Sequence, residues 1–292
     1  QDIEIIETEE MNVTHSQSNY TGYGISCNGF SDGWIDITVT GGTGLYTYIW
    51  SNGTTTEDLV DVADGTYSVI VADENGCSFE ITGIQLIEPT DQIEISETHS
   101  DYTGYGVSCN GESDGWIDVT VTGGTGVYTY AWANGSAGSF VSELTQETIS
   151  NLPAEIYSVV VTDENGCSVS IEVEITESEA ITISETHSDY TSYGVSCNGE
   201  SDGWIDVTVM GGTGVYTYAW IGLGGTYVSV SEDISGLSAG IYAFIVTDER
   251  NCVNSIEVEI TETDAMTISE THSDYTGYGV SCNGDSDGWI DV

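Results

Sequence analysis

The chain has 292 residues, 49 acids and a single base, Arg250, for a formal charge of −48 at neutral pH. So negative a surface excludes phosphate-backbone binding, which rests on basic side chains, and disfavours anionic membrane surfaces. Hydrophobic residues make up 39% and aromatic residues 10% of the chain, enough for packed cores rather than acidic disorder, and no apolar run is long enough to span a membrane.

In chain order, the first predicted element follows "SCNGFSDG" as "WIDITV", and it returns in each later copy of the same text. Cys27, Cys109, Cys197 and Cys282 mark the copies at spacings of 82, 88 and 85 residues, and His15, His99, His187 and His272 keep almost the same beat. This period is longer than that of small solenoid repeats, so each unit can hold its own core. The boundaries fall at 1–10 (the end of a preceding repeat), 11–92, 93–180 and 181–265 (three complete repeats) and 266–292 (the start of a following one). No Gly/Ser spacer separates the units. A few acidic residues join them, which predicts domains that abut in a stiff rod.

Within a unit the hydrophobic period is two, the signature of strands. "WIDVTV" puts Ile117, Val119 and Val121 on one face, and "VYTYAW" groups Tyr128, Tyr130 and Trp132. "IYSVVV" aligns Tyr157, Val159 and Val161, and "VSIEVEI" alternates Val169, Ile171, Val173 and Ile175 with polar residues. "GGTG" and "DENG" are turn signals. About seven short strands per unit predict an all-β chain of tandem immunoglobulin-like antiparallel β-sandwich domains. Trp50, Trp132 and Trp220 end the presumed C strands, and Tyr67, Tyr157 and Tyr242 stand where a tyrosine corner would be. The residue two beyond each of these tyrosines is Val69, Val159 or Phe244 rather than cysteine, so the usual inter-sheet disulfide is absent. Length varies between units in one connection, "SNGTTTED", "ANGSAGSFVSELTQET" and "IGLGGTYVSVSED", which is a tolerant surface loop or a variable recognition loop.

Each unit carries two cysteines, one in "SCNG" and one before the last strand, an arrangement suited to disulfides in an oxidising compartment. Two pairings are open. Within units it would be Cys27–Cys77, Cys109–Cys167 and Cys197–Cys252. In immunoglobulin topology those positions lie at opposite poles, beyond the reach of a disulfide, unless the "ETHSDYTGYG" segment folds back. Between neighbours it would be Cys27–Cys167 and Cys109–Cys252. On either pairing Cys282 is left without a partner. Zinc is disfavoured, since there is no CxxC and the histidines stand apart.

The quartet "THSD", as at His99, Ser100 and Asp101, places triad residue types side by side, but triads converge in space rather than in sequence, so no catalytic residue is assigned. Calcium is the cation that the oxygen ligands Asn110, Glu112, Asp114, Asp163, Glu164 and Asn165 would suit, set against their reading as turn residues. Trp34, Trp116 and Trp204 alternate to the outward face. They are candidates for stacking on sugars, or else lie under the adjacent "SDYTGYG" segment.

The pattern "VSCNGxSDGxIDVTVxGGTGxYTYxW", followed by "GxYxxxVTDENGC", resembles the SprB-type repeat of gliding adhesins in Bacteroidota. It covers all three full units and the partial ones. The resemblance implies a long secreted filament at the cell surface, exported by the type IX route and moved by a surface motility machinery, with extracellular surfaces or polysaccharide as partners. It implies structural roles for Cys109, Asn110, Gly111, Asp114, Gly115, Gly123, Gly124, Tyr128, Tyr130, Trp132, Tyr157, Asp163, Gly166 and Cys167. The Trp before Ile, "TGVY" where proline is common, and the long "ETHSDYTGYG" insert depart from that pattern. The expectation is therefore the structural stalk of a surface adhesin. The alternatives are a carbohydrate-binding array or a non-catalytic spacer in a large secreted enzyme.

Overall fold

The computed structural model describes residues 7–134, 141–142, 146–222 and 227–292. Parts of the variable connection, including 135–140, 143–145 and 223–226, lie outside the described residues, and the recognition-loop reading falls largely there. The chain divides into two compact units, Gln1–Glu177 and Ser178–Val292. Both are all-β among the described residues, and none of those residues forms a helix long and apolar enough to cross a membrane.

The first unit holds two sandwiches. In the first, β1 (Asn12–Gln17), β2 (Gly33–Thr40), β3 (Thr47–Trp50), β4 (Leu59–Val62), β5 (Gly65–Ala72) and β6 (Ser78–Leu86) form sheets of order β1-β2-β4 and β3-β5-β6. The second has β7 (Glu94–His99), β8 (Gly115–Thr122), β9 (Thr129–Asn134), β10 (Val141–Ser142), β11 (Gln146–Leu152), β12 (Ile156–Thr162) and β13 (Ser168–Glu174). Its sheets run β7-β8-β11 and β10-β9-β12-β13. The second unit repeats this with β14 (Thr182–His187), β15 (Gly203–Met210), β16 (Thr217–Gly222), β17 (Val228–Ser229), β18 (Ile234–Leu237), β19 (Gly240–Thr247) and β20 (Val253–Ile260). Their order is β14-β15-β18 and β17-β16-β19-β20, and β21 (Thr271–His272) then pairs with β22 (Ile290–Asp291). All named pairings are antiparallel.

Strict alternation produces these layers. On β8, Ile117, Val119 and Val121 are buried while Trp116 and Thr120 face out. Opposite them, Tyr130, Trp132, Tyr157, Val159 and Val161 complete a separate core, and the first and third sandwiches each have their own. Each fully buried aliphatic side chain contributes about 1.5–3 kcal/mol. Trp50, Trp132 and Trp220 are buried as anticipated, and the indole N–H of Trp220 donates to the carbonyl of Glu232 at 3.0 Å.

The tyrosine corners are present in all three sandwiches. The hydroxyls of Tyr67, Tyr157 and Tyr242 donate to the carbonyls of Ala63, Pro153 and Ser238, each at 2.9 Å. With the three-on-three or three-on-four strand order, this makes the sandwiches immunoglobulin-like.

Two local devices explain otherwise odd residue choices. The fourth core strand of each sandwich carries a residue with left-handed backbone, Asp61 (φ 54), Asn151 (φ 60) or Gly236 (φ 74), beside a register shift against the preceding partner strand. Asp, Asn and Gly are the residues that tolerate this conformation, and the shift is a β-bulge. In "GGTG", Gly123 has φ 71, and a Cβ there would sit 1.9 Å from the carbonyl oxygen of Gln92. Only glycine lets the entering segment pass so close.

Candidate functional site

The two ends of each sandwich are built by different motifs. At one end lies the "SCNG" loop. The Gly24 and Ile25 N–H groups both donate to the carbonyl of Ile87, at 2.8 and 3.2 Å, just past the last strand. The Asn28 amide donates to the carbonyl of Pro89 at 2.8 Å, and the Gly29 N–H to the carboxylate of Glu88. The loop therefore grips the segment that leaves its own sandwich. Gly111 holds Glu177 in the same way (2.6 Å), and Gly199 holds Glu262 (2.8 Å). Glu88, Glu177 and Glu262 were missed as site residues. Their signal was an acid at a fixed place after each last strand, which reads as mere linker charge.

Within the loop, the aspartate of "SDG" reaches back six residues. The N–H groups of Ser26, Ser108, Ser196 and Ser281 donate to Asp32, Asp114, Asp202 and Asp287 at 3.0–3.1 Å. At Asp114, burial pushes the carboxyl up, but the hydroxyl and N–H of Ser108 more than offset it and hold it below the usual range. At Asp202 and Asp287 the hydroxyls of Ser196 and Ser281 lead the lowering, followed by their N–H groups.

The serine of "THSDY" has an equally local task. Ser100 is buried, its hydroxyl donates to the carbonyl of Gly106 at 2.6 Å, and it accepts the N–H of Trp116 at 3.1 Å. Ser18, Ser188 and Ser273 repeat both bonds. His99 faces Glu97 at 2.9 Å, and Asp101 accepts the N–H of Gly104. These side chains pin the long insert to β8 and its counterparts.

The opposite end carries the "DENGC" turn. Asp163 is 5% exposed. One carboxylate oxygen accepts the N–H groups of Asn165 and Cys167 at 3.0 and 2.8 Å. The other accepts the N–H and hydroxyl of Thr125 at 2.8 and 3.1 Å. It thus ties the turn to "GGTG". Asp73 with Thr43, and Asp248 with Thr213, do the same. At Asp73 and Asp248 burial raises the carboxyl pKa, while bonds from Cys77 and Thr43, or Cys252 and Thr213, bring the net value below normal.

Inside the first unit these two ends meet. Cys27 of the first sandwich is bonded to Cys167 of the second, with Cα atoms 5.7 Å apart across 140 residues of sequence. Asn165 donates from its amide to the carbonyls of Tyr20 and Ser26 at 3.3 and 3.2 Å, and accepts the hydroxyl of Thr21 at 2.9 Å. A cleft of about 200 Å³ opens beside the disulfide. Cys27, Asn28, Phe30 and Pro89 wall it from the first sandwich, and Asp91, Gln92, Ile93, Gly124, Cys167, Ser168 and Val169 from the second.

The within-unit cysteine pairing is overturned throughout. Cys27 and Cys167 are bonded to each other, and Cys77, Cys197 and Cys282 are free and exposed. Cys109 and Cys252 are both disulfide-bonded. The reason is distance. Cys77 stands at the start of β6 and the Cys27 loop is held at its end, nine residues away along the strand, about 30 Å at the usual rise.

The six calcium candidates divide between the two ends of the second sandwich. Asn110, Glu112 and Asp114 lie in the loop held to Glu177. Asp163, Glu164 and Asn165 lie in the turn facing the first sandwich. Among the described residues, no three His, Cys, Asp or Glu side chains cluster as a metal site. Trp34, Trp116 and Trp204 are 39%, 37% and 40% exposed, half-open on the outer face.

A family model described as the SprB repeat matches residues 25–55, 107–137 and 191–225. The chain carries SprB repeats. Each match begins at or just before the loop that presents the cysteine and runs through the buried C-strand tryptophan. A comparison with curated protein sequences returned no match. Among solved structures, a Ca2+-stabilised adhesin with which an Antarctic bacterium binds ice is 16% identical over 89% of this chain and 76% of that one, with a TM-score of 0.40. A 1.5-MDa bacterial ice-binding adhesin is 13% identical over 88% and 98%, with a TM-score of 0.38. The eight N-terminal immunoglobulin domains of Down Syndrome Cell Adhesion Molecule are 13% identical over 92% and 38%, with a TM-score of 0.24. These similarities are too loose to assign anything further to the SprB-repeat chain.

Proposed function

We propose that this SprB-repeat chain is a stalk segment of a large secreted adhesin, displayed on the cell surface and holding a binding region away from it. The observation that carries this reading is the joint between the first two sandwiches. A loop that grips its own exit segment is covalently bonded to the next sandwich, and Asn165 adds three hydrogen bonds across the contact. Such a joint resists bending and extension, which is what a stalk needs. It has no evident use in turning over a substrate. The high negative charge keeps neighbouring stalks apart.

On this reading the filament is exported by the type IX route, and in a gliding organism it is driven along the surface to grip the substratum. Antibodies against the chain should label intact cells of the organism, and deleting the repeats should impair attachment or gliding while leaving secretion of the rest intact. Purely intracellular labelling would refute it.

The half-exposed Trp34, Trp116 and Trp204 favour a second reading, in which each repeat stacks on glycan. Glycan-array binding that is lost when all three become alanine would support it. The stalk reading expects no such binding.

A further inference from the structure

The first sandwich presents, at its DENGC end, the same surface that the second uses in the joint. A cleft there is lined by Glu9, Glu10, Met11, Gly42, Cys77, Ser78 and Phe79, with Glu7, Thr8 and Asp73 beside them. The first seven correspond one for one to the second sandwich's half of the joint. Gly42 donates to the carbonyl of Glu9 at 2.9 Å as Gly124 donates to that of Asp91 at 3.2 Å, which fixes the alignment of the entering segments. "DENGC" fixes Cys77 on Cys167 and Asn75 on Asn165. What this end lacks is the opposing wall, the CNG loop. Cys77 is a free, exposed thiol, and the Asn75 amide is turned onto the Thr43 hydroxyl at 2.7 Å instead of crossing to a partner.

We infer that the Cys77 end of the first sandwich is a docking surface for the CNG loop of another SprB repeat, closed by a disulfide to Cys77 and by the Asn75 amide. The occupant is defined by chemistry already present in this chain, since the second sandwich receives such a loop through the equivalent residues. Cys197 and Cys282 are CNG cysteines that are free and exposed, so a second copy of the chain carries the complementary surface. The contact is heterologous, head to tail, and so propagates into an open linear assembly rather than closing as a symmetric dimer. The two thiols lose two hydrogens and two electrons to oxidised glutathione, which leaves as two molecules of the reduced form. This inference rests on the geometry of the joint, and it stands whether or not the array belongs to an adhesin.

The test is incubation of the intact chain in a glutathione redox buffer. Mutual repulsion between copies must be screened, so about 1 M salt, where the screening length is about 3 Å, is used. The expected result is a ladder of disulfide-linked oligomers whose cross-linked peptide joins Cys77 to Cys197 or Cys282. Cys77→Ser should abolish the ladder while Cys27–Cys167 stays intact. Asn75→Ala should slow ladder formation about fivefold, the effect of losing a net ~1 kcal/mol of hydrogen bonding, with the melting temperature nearly unchanged as the folding control. Cys77–Cys77 dimers, a glutathione adduct without oligomers, or a ladder that survives Cys77→Ser would each overturn the inference.

Discussion

The side-chain amide of Asn165 in the second sandwich donates to the backbone carbonyl of Ser26 in the first, 3.2 Å away, directly beside the bond from Cys27 to Cys167. A polar side chain and a covalent bond thus hold one joint together. Asn165→Ala removes three hydrogen bonds at a partly buried contact, and with the disulfide intact the loss should be about 1–2 kcal/mol. It should appear as faster hydrogen exchange at Tyr20–Cys27, with little change in the core of either sandwich.

The disulfide closes a loop of 140 residues, so chain-entropy reasoning gives it a stabilisation of up to about 5 kcal/mol. Cys27→Ser should therefore lower the thermal midpoint of the first unit. It should also split a single calorimetric transition into two, because each sandwich has its own core. A single unshifted transition would show that the bond couples nothing.

Asp163→Ala leaves four donors, from Asn165, Cys167 and Thr125, without their acceptor in a buried turn. The expected cost is about 3 kcal/mol, and urea denaturation in the presence of chelator should show it in full. A variant as stable as the parent under those conditions would mean that the carboxylate does not serve as the clamp described.

Tyr157→Phe tests the corner. It deletes only the bond to the Pro153 carbonyl and keeps the ring in the core, so its cost should be about 1 kcal/mol in the urea midpoint with an unchanged slope.

The pH profile has two arms. Asp73, Asp114, Asp202, Asp248 and Asp287 have folded-state pKa values below the usual carboxylate value of about 4. Their stabilisation is present above that value and is lost as pH falls through their lower folded-state values. Mild acid also relieves the repulsion of a −48 chain, so stability should first rise below pH 7 and then collapse below about pH 4. At the other extreme, burial pushes Tyr48 and Tyr130 up to about 12. A phenol whose pKa is raised by folding leaves stability intact below its ordinary value of about 10, and the stability is lost as pH climbs from there to about 12. Tyrosinate absorbance should therefore appear together with unfolding in that window.

Much of this fold was legible because period-two alternation is written without interruption. Ile117, Val119 and Val121 could face only one layer, and Tyr157 could be placed as a corner by its spacing from Leu152. The cysteine pairing was open in the sequence because it depends on the length of β6, a three-dimensional quantity. The same is true of Asn165. Asn and Asp make turns, bind cations and cross interfaces with the same atoms, so its residue type pointed to calcium while its position in space put it against the Tyr20 and Ser26 carbonyls. Glu88, Glu177 and Glu262 were hidden for a different reason. In a chain with 49 acids, one more carboxylate carries no signal until its partner N–H is seen.

The most direct measurement is mass mapping of the intact, non-reduced chain after cleavage at aromatic residues, with free thiols alkylated beforehand. The account predicts a peptide pair joining Cys27 to Cys167, with Cys77 recovered alkylated. A Cys27–Cys77 pair would contradict it, because each sandwich would then be closed on itself and the covalent joint between repeats would not exist.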